Sequence, residues 1–497
     1  MNRQALLRNA SSAASQTLVQ TVAFFFLYRF LIDRLGLEQF GIWAVVLATA
    51  SATRLSELGL AGSVTKFVAA ARAQGDERGA AEFIQTAAIT LAVVLTVALL
   101  LLLPLLSHLL PHVLPAGAVP AGRRILPYAL ASMWLGTIAG VWQSGLDGCL
   151  RSDIRALLVI GATALFLLLA YLAVPRYGLV GLAAAQVVQG VALVVAGWLL
   201  VRRLVGNPPI VPLQWSRARL RQMIGYGANV QVLTVVMLLF EPTTKLLLSR
   251  YGGLSSAGTF ELAQQLVTKM RALIVESNRV IVPIIAGMHA RGDQQRGLYA
   301  TNLHVLLYLV TPLFAVLAAT MPAVSEVWLG QYRTEFVMMG VALVFAWYVN
   351  SLTAPAYFAY MGRGDLRWLT VSHVILGVSN GVLGWLAAKA FGTPGILAAF
   401  VISLVAGSVI PVITYHREQG MRVRDLVSRA DVILVTVCVA AATLAVAGHA
   451  QAHGSAVVWW KRGLWLALML SVIVVAAGRH PLTQRVVAVA RRASPAR

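Results

Sequence analysis

Arg34-Leu35-Gly36, then Phe40-Gly41-Ile42-Trp43, an apolar span, and Gly75-Asp76-Glu77-Arg78-Gly79 form a passage that this chain uses twice. The second version reads Arg250-Tyr251-Gly252, then Ala257-Gly258-Thr259-Phe260, another apolar span, and Gly292-Asp293-Gln294-Gln295-Arg296-Gly297. Gly41 and Gly75 lie 34 positions apart, as do Gly258 and Gly292. Further along, Asp153-Ile154-Arg155 is echoed by Asp365-Leu366-Arg367, and Tyr177-Gly178 with Gly181 by Phe391-Gly392 with Gly395. The three sets of anchors are displaced by 217, 212 and 214 residues. A long apolar unit repeated in this way is a common construction of membrane carriers, with the transported molecule passing where the halves meet.

The composition leaves little room for a water-soluble alternative. Of 497 residues, 59% are hydrophobic, and the mean hydropathy is +0.78. A helix needs about 20 apolar residues to cross a bilayer. Such spans fall near 10–31, 40–62, 83–106, 125–147, 155–174, 179–201, 223–248, 257–286, 299–321, 335–360, 369–390, 394–415, 430–448 and 462–478. They are continuously apolar, so a barrel of short alternating strands is excluded. The expected fold is an all-α polytopic membrane protein of about 14 transmembrane helices. Residues 1–203 form an N-terminal six-helix lobe, 204–221 a cytoplasmic linker, and 222–417 a second six-helix lobe related to the first by a pseudo-two-fold axis. Residues 418–478 add two helices, and 479–497 form a basic tail.

The formal net charge is +22. The basic residues are scattered over short loops, so no nucleic-acid partner is expected. With the N-terminus inside, Lys and Arg gather in the inner loops and tails, as the positive-inside rule requires. Both termini are then cytoplasmic, and the tail Arg479–Arg497 can rest on anionic lipid. Cys149 and Cys438 lie at or within spans and suggest neither a disulfide framework nor a metal site. The apolar N-terminal stretch runs directly into the first copy of the repeat, so a cleaved leader is not expected. No loop is long enough to fold as a catalytic domain. No Walker loop, dinucleotide fingerprint or zinc helix is present, and the chain does not read as an enzyme.

Ionisable groups at bilayer depth cost about 2.5–3.5 kcal/mol each on insertion scales, so they mark functional positions. The eighth span carries Glu261, Gln265, Thr268, Ala272, Glu276 and Arg279 on one helical face, flanked by Gln264 and Lys269, with Arg271 further round. This stripe can line a water-filled cavity or rivet helices together. The second span places Ser51, Arg54 and Glu57 on one face, and Arg54 aligns with Arg271 at the 217-residue displacement. An Arg54–Glu57 pair within the helix is the alternative. The seventh span is interrupted at Glu241-Pro242-Thr243-Thr244-Lys245. Proline there predicts a kink, and Glu241 and Lys245 have i,i+4 spacing, which together suit a hinge or gate. Lys245 can instead snorkel to the outer interface. On the first span, Asn9, Ser12, Gln16 and Gln20 make an uncharged polar face. The tenth span offers Trp347 and Asn350 for sugar stacking, while Tyr357 and Tyr360 suit an interfacial belt. His304 and His373 look isolated and read as packing residues.

The Arg-Leu-Gly-x3-Phe-Gly-Ile-Trp opening resembles the polysaccharide flippases of the multidrug/oligosaccharidyl-lipid/polysaccharide exporter superfamily. So do Leu58-Gly59-Leu60 with Ser63, Lys66-Phe67-Val68, Gly258 with Phe260, Leu262-Ala263, and Pro283 before Gly292-Asp293. The resemblance implies two six-helix lobes, a central cavity and alternating access. It also implies a substrate, undecaprenyl-diphosphate-linked oligosaccharide, moved from the inner to the outer leaflet of the bacterial inner membrane for surface polysaccharide assembly. On that reading Arg54, Lys269, Arg271 and Arg279 neutralise the diphosphate. Glu57, Glu261 and Glu276 are candidates to bind a coupling proton or sodium ion, and no cofactor is required. Expected partners are membrane lipids, the polyprenyl-diphosphate-linked glycan, and a polysaccharide polymerase with its chain-length machinery. A cation-coupled multidrug exporter and a lipid II flippase are the alternatives. The first span lacks the acidic residue that many bacterial drug exporters carry there, since Asp33 falls at its outer end.

Cysteine reporters should test the topology. Those near Gly75, Pro209, Gly292 and Gly420 should react with impermeant reagent only from the cytoplasmic side, and those near Pro115, Gly253, Gln331 and His453 only from outside. Labelling of Gly75 from outside would overturn the orientation.

Overall fold

Long apolar stretches without water to bond must close their backbone hydrogen bonds internally, and the chain does so almost entirely as α-helix. The computed structural model describes residues 3–51, 60–278, 285, 288, 295–453 and 459–483. The helices are α1 (Arg3–Ala50), α2 (Leu60–Ala73), α3 (Glu77–Val113), α4 (Val119–Gly148), α5 (Ser152–Arg202), α6 (Arg217–Leu247), α7 (Leu254–Asn278), α8 (Arg296–Leu329), α9 (Thr334–Leu352), α10 (Ala354–Arg363), α11 (Arg367–Gln419), α12 (Val423–Leu426), α13 (Arg429–His453) and α14 (Trp459–Arg479). Among the described residues, eight helical stretches are long and apolar enough to cross a membrane. Two of these, α5 and α11, have 51 and 53 residues and each hold two of the expected spans. Their outer surfaces leave Leu157, Leu168, Leu172, Val378, Val382 and Leu386 exposed, as lipid-facing surfaces do.

The duplication is written into the backbone. α5 bends at Gly178 (φ 56°, ψ −134°) and α11 at Gly392 (φ 59°, ψ −138°), and these positions are 214 residues apart. Helix ends at Leu150 and Gly364, and at Gly206 and Gly420, turn through positive φ at the same displacement. In each pair the hydrogen bonds match: Arg151 N to Leu146 O answers Asp365 N to Tyr360 O, and Asn207 N to Arg202 O answers Met421 N to His416 O. In this register Arg151 is the counterpart of Asp365, so the Asp153 and Asp365 triplets stand two residues out of alignment. The earlier kink shows a similar slip. Gly36 (φ 77°, ψ 165°) matches Gly253 (φ 85°, ψ 166°), 217 residues on, and not Gly252.

The chain divides into two compact units, one of residues 1–261 with 385–396 and the other of 262–384 with 397–497. In the first, a core of Val64, Val68, Ile84, Leu91, Val141, Trp142, Leu146 and Trp198 joins α2 to α5, with the two tryptophan rings 4.8 Å apart. The inter-lobe segment is not a free tether. Gln214 N donates to Gln85 Oε1 (3.1 Å), Ser216 N to Thr86 Oγ1 (3.1 Å), and Trp215 Nε1 to Thr90 Oγ1 (3.1 Å). Arg219 pairs with Glu82 (3.2 Å) and lies over the Phe83 ring. These contacts zip the segment along α3.

In the second unit α13 packs on α8 and α14. Asp431, fully buried at the first turn of α13, accepts hydrogen bonds from the backbone N–H and the hydroxyl of Ser428 (2.8 and 2.6 Å). The same carboxylate meets His304 Nδ1 of α8 at 2.8 Å and His480 Nε2, just past α14, at 3.2 Å. His304 is therefore not isolated, as its sequence setting suggests, but part of a clasp between three helices. Tyr360 is likewise no interfacial anchor. It is fully buried, donates to Thr414 Oγ1 (3.0 Å) and meets the Tyr415 ring edge-on.

Within the first unit α1 and α7 approach backbone to backbone. A Cβ on Gly41 would collide with Leu254 O, and one on Gly258 would lie 2.7 Å from Leu37 O. Gly41→Ala and Gly258→Ala should each lower the thermal midpoint of detergent-purified protein by several degrees. Gly140→Ala, where a methyl meets open space, should be neutral or stabilising by up to about 1 kcal/mol. Unchanged midpoints for the first two variants would refute the close approach.

Candidate functional site

α7 carries the polar positions, and its neighbours determine what each does. In the first unit, Glu261 sits one turn after the Gly258 contact and is 7% exposed. Lys245 of α6 reaches its carboxylate at 2.6 Å, and both side chains are nearly excluded from solvent. The helix runs unbroken through Pro242 to Leu247, and the departure from α geometry comes later, as a π turn over Leu248–Gly252. The expected interruption at Glu241–Lys245 is thus displaced by a few residues. The proline ring is tolerated inside a membrane helix because neighbouring geometry absorbs the lost bond. Lys245 does not simply snorkel outward, since it engages α7. Glu241 and Pro242 are half-buried.

The second unit holds a polar chain across three helices. Gln264, 1% exposed, accepts a hydrogen bond from Trp347 Nε1 of α9 at 3.0 Å. Two turns further along α7, the Arg271 guanidinium lies over the Trp347 ring, 4.9 Å from its centre. Arg271 Nε donates to Asn350 Oδ1 at 2.9 Å, and Asn350 Nδ2 donates to Ser408 Oγ of α11 at 2.7 Å. Thr268 turns its hydroxyl back to Gln264 O (2.7 Å). Gln265 and Lys269 are half-buried. Arg271 is thus joined to α9 and through it to α11, although it lies off the main stripe in sequence. Trp347 and Asn350 enter as its partners. Nothing in the sequence links α7 to α9, and the only signal was a Trp-x-x-Asn pair at helical spacing inside a span.

The remaining candidates divide plainly. On α1, Gln16 and Gln20 are half-buried, and on the turn after it Ser51 donates to Ala48 O (2.6 Å). Arg54, Glu57 and Arg279 lie outside the described residues. Glu276 is in the last turn of α7, but its side chain lies outside them as well.

A polytopic helical protein with a duplicated lobe and charged groups held inside its spans is a membrane carrier by architecture. The chain belongs to the polysaccharide biosynthesis protein family, whose profile matches residues 6–289, more than half its length. No curated protein sequence matches it. Solved structures with a similar fold include an inward-facing multidrug resistance MATE family transporter of the MOP superfamily, at 15% identity, TM-score 0.70, and coverage of 81% of this chain and 94% of that one. The inward closed conformation of the lipid II flippase MurJ aligns at 11% identity, TM-score 0.69, over 93% of this chain and 98% of that one. A MOP superfamily transporter from Pyrococcus furiosus, described as having reversed polarity of its binding pocket, aligns at 14% identity, TM-score 0.58, over 84% and 95%. At these identities the likeness establishes the fold.

The Lys245–Glu261 pair makes a measurable claim. Removing one partner from a buried pair costs about 3–5 kcal/mol, because a charge is left uncompensated. Lys245→Met and Glu261→Gln should each lower thermal stability strongly, and the double variant should recover most of the loss. Strictly additive losses, measured by thermal unfolding of purified protein, would show that the two groups do not act as a pair.

Proposed function

We propose that the chain is a flippase that moves undecaprenyl-diphosphate-linked oligosaccharide across the bacterial inner membrane by alternating access, and is not an enzyme. It supplies repeat units for surface polysaccharide such as O-antigen, capsule or exopolysaccharide, with both termini in the cytoplasm. Polysaccharide polymerase and chain-length machinery are its downstream partners. The observation that carries this reading is Arg271, a guanidinium of α7 held against Trp347 and Asn350 of α9 in a member of the polysaccharide biosynthesis family. A diphosphate with a hydrophilic glycan cannot cross hydrocarbon unaided. Arginine can engage such a group through two parallel N–H donors, which lysine cannot do. Lys269, Arg54 and Arg279 are assigned the same charge-neutralising role, with Gln16, Gln20, Ser51, Gln265 and Thr268 as polar contacts. Glu261, with Glu57 and Glu276, is assigned the coupling cation, a proton or sodium ion, and Lys245 of the Glu241–Lys245 segment holds Glu261 between coupling events.

The drug-exporter alternative draws on the fold shared with the MATE structure and predicts the opposite ranking of residues. Under the glycan reading, Arg54→Ala and Arg279→Ala should each abolish surface glycan at normal membrane abundance, with only partial rescue by Lys. Glu261→Gln and Glu276→Gln should change the dependence on pH or sodium gradient. Reconstituted protein should move a fluorescent polyprenyl-diphosphate glycan and not a cationic dye. Full export by both Arg→Ala variants would overturn the anionic-substrate mechanism.

A further inference from the structure

The segment between α5 and α6 presents apolar side chains that a loop surrounded by water would hide. Ile210, Val211, Leu213 and Trp215 are between 50 and 76% exposed, within the run Pro208-Pro209-Ile210-Val211-Pro212-Leu213-Gln214-Trp215. This strap is fixed in place. Val205 and Leu220 root its ends in the core of the first unit. From α5, Arg202 Nε donates to Pro208 O at 3.1 Å, and Trp198 Nε1 donates to Ile210 O. On α3 the strap meets Gln85, Thr86 and Thr90. Thr90 lies about 10 Å along the helix axis inside the apolar run that begins near residue 83. The strap's backbone suits that depth. Pro208, Pro209 and Pro212 have no N–H to leave unsatisfied, and the N–H groups of Gln214 and Ser216 are bonded to α3. Non-helical backbone close to lipid needs its polar groups occupied in this way. Trp215 ties its indole N–H to Thr90 and leaves half of its surface open, the placement of a tryptophan at a membrane interface.

The charge beside the strap is mostly of one sign. Arg203, Arg217 and Arg221 are exposed, and among the described residues no hydrogen bond or ion pair engages their guanidinium groups. The acids nearby are Asp76, Glu77 and Glu82. Arg219 answers two of them, at 3.7 Å from Asp76 and 3.2 Å from Glu82. Glu77 lies beside Gly206, where an added Cβ would stand 3.3 Å from its carboxylate. We propose that residues 208–216 are an interfacial membrane-binding strap. Ile210, Val211, Leu213 and Trp215 enter the acyl boundary of the adjacent leaflet, and Arg203, Arg217 and Arg221 engage the phosphates of anionic phospholipids there. The occupant is the leaflet because the strap is bonded to two spanning helices at apolar depth, where a soluble partner does not reach. The apolar side chains set the depth and the arginines select the headgroup, the two signals that stable anchoring at a membrane surface requires. This role is independent of the molecule that the chain carries.

The test uses full-length protein carrying Cys149→Ala and Cys438→Ala, with Leu213→Cys labelled by an environment-sensitive fluorophore, in nanodiscs of phosphatidylglycerol and phosphatidylcholine. Gln74→Cys, exposed in the turn between α2 and α3, is the aqueous control, and thermal unfolding is measured in parallel. The probe at Leu213 should emit at shorter wavelength than the control, be quenched by lipid brominated high on its acyl chain, and be several-fold less accessible to iodide. Iodide access equal to that of the control would overturn the proposal. Protection from both quenchers would overturn it as well, since another part of this chain would then cover the strap. The charge is tested by comparing brominated phosphatidylglycerol with brominated phosphatidylcholine as quenchers at low salt. The anionic lipid should quench more. Arg203→Gln, Arg217→Gln and Arg221→Gln should each reduce that preference about five-fold, and about 0.5 M salt should remove most of it. An undiminished preference in the triple variant would refute the assignment of the arginines to the headgroups. Should Leu213→Cys unfold, Ile210→Cys and Val211→Cys carry the same comparison.

Discussion

The structure depends on one constraint: inside a bilayer a polar group has no water to fall back on. Backbone groups meet that constraint by forming helices, and side chains meet it by bonding to the nearest helix or to each other. The hydroxyls of Thr49, Thr163, Thr320, Thr414 and Ser471 all return to carbonyls three or four residues back in their own helices. Such bonds satisfy the hydroxyl proton within the helix and leave the oxygen free to accept, as Thr414 does from Tyr360. Other polar groups reach between helices instead, and their positions carry information about which helices meet. Lys245 with Glu261, Arg271 with Asn350, and Asp431 with two histidines are of this kind.

The sequence exposes features that depend on local chemistry and hides those that depend on which helices meet. Glycines at Gly178 and Gly392 were visible as repeat anchors because a positive φ demands glycine wherever the fold places it. Leu150 performs at one helix end what Gly364 performs at its counterpart, so that anchor shifted by two residues when letters were matched in place of backbone. The stripe on α7 was found from helical period alone. A helical wheel assumes that polar residues share one destination, yet Glu261 bonds to α6 while Gln264 and Arg271 bond to α9. That is why Arg271 stood at the edge of the predicted face.

The clasp on Asp431 could not be read at all. His304, Asp431 and His480 are separated by 127 and 49 residues, and each looks like a lone polar residue beside an apolar run. The hydrogen bonds between Ser428 and Asp431 explain the carboxylate's hold on the start of α13, but not its meeting with two imidazoles. The clasp also gives the last two helices a defined attachment to α8, so they are part of the second unit's packing and not an appended anchor.

The contact between α1 and α7 has a consequence for origins. Gly41 lies against Leu254 O and Gly258 against Leu37 O, and residue for residue these are the same contact made twice with the roles exchanged. Reciprocity of that kind is the mark of an isologous interface, in which one surface binds its own copy. A chain that arose by fusing two genes would inherit it directly, because the half-length ancestor would have met itself through this same pair of glycines before a linker joined the copies. The zipped segment along α3 would then be a later addition, turning a concentration-dependent association into an intramolecular one.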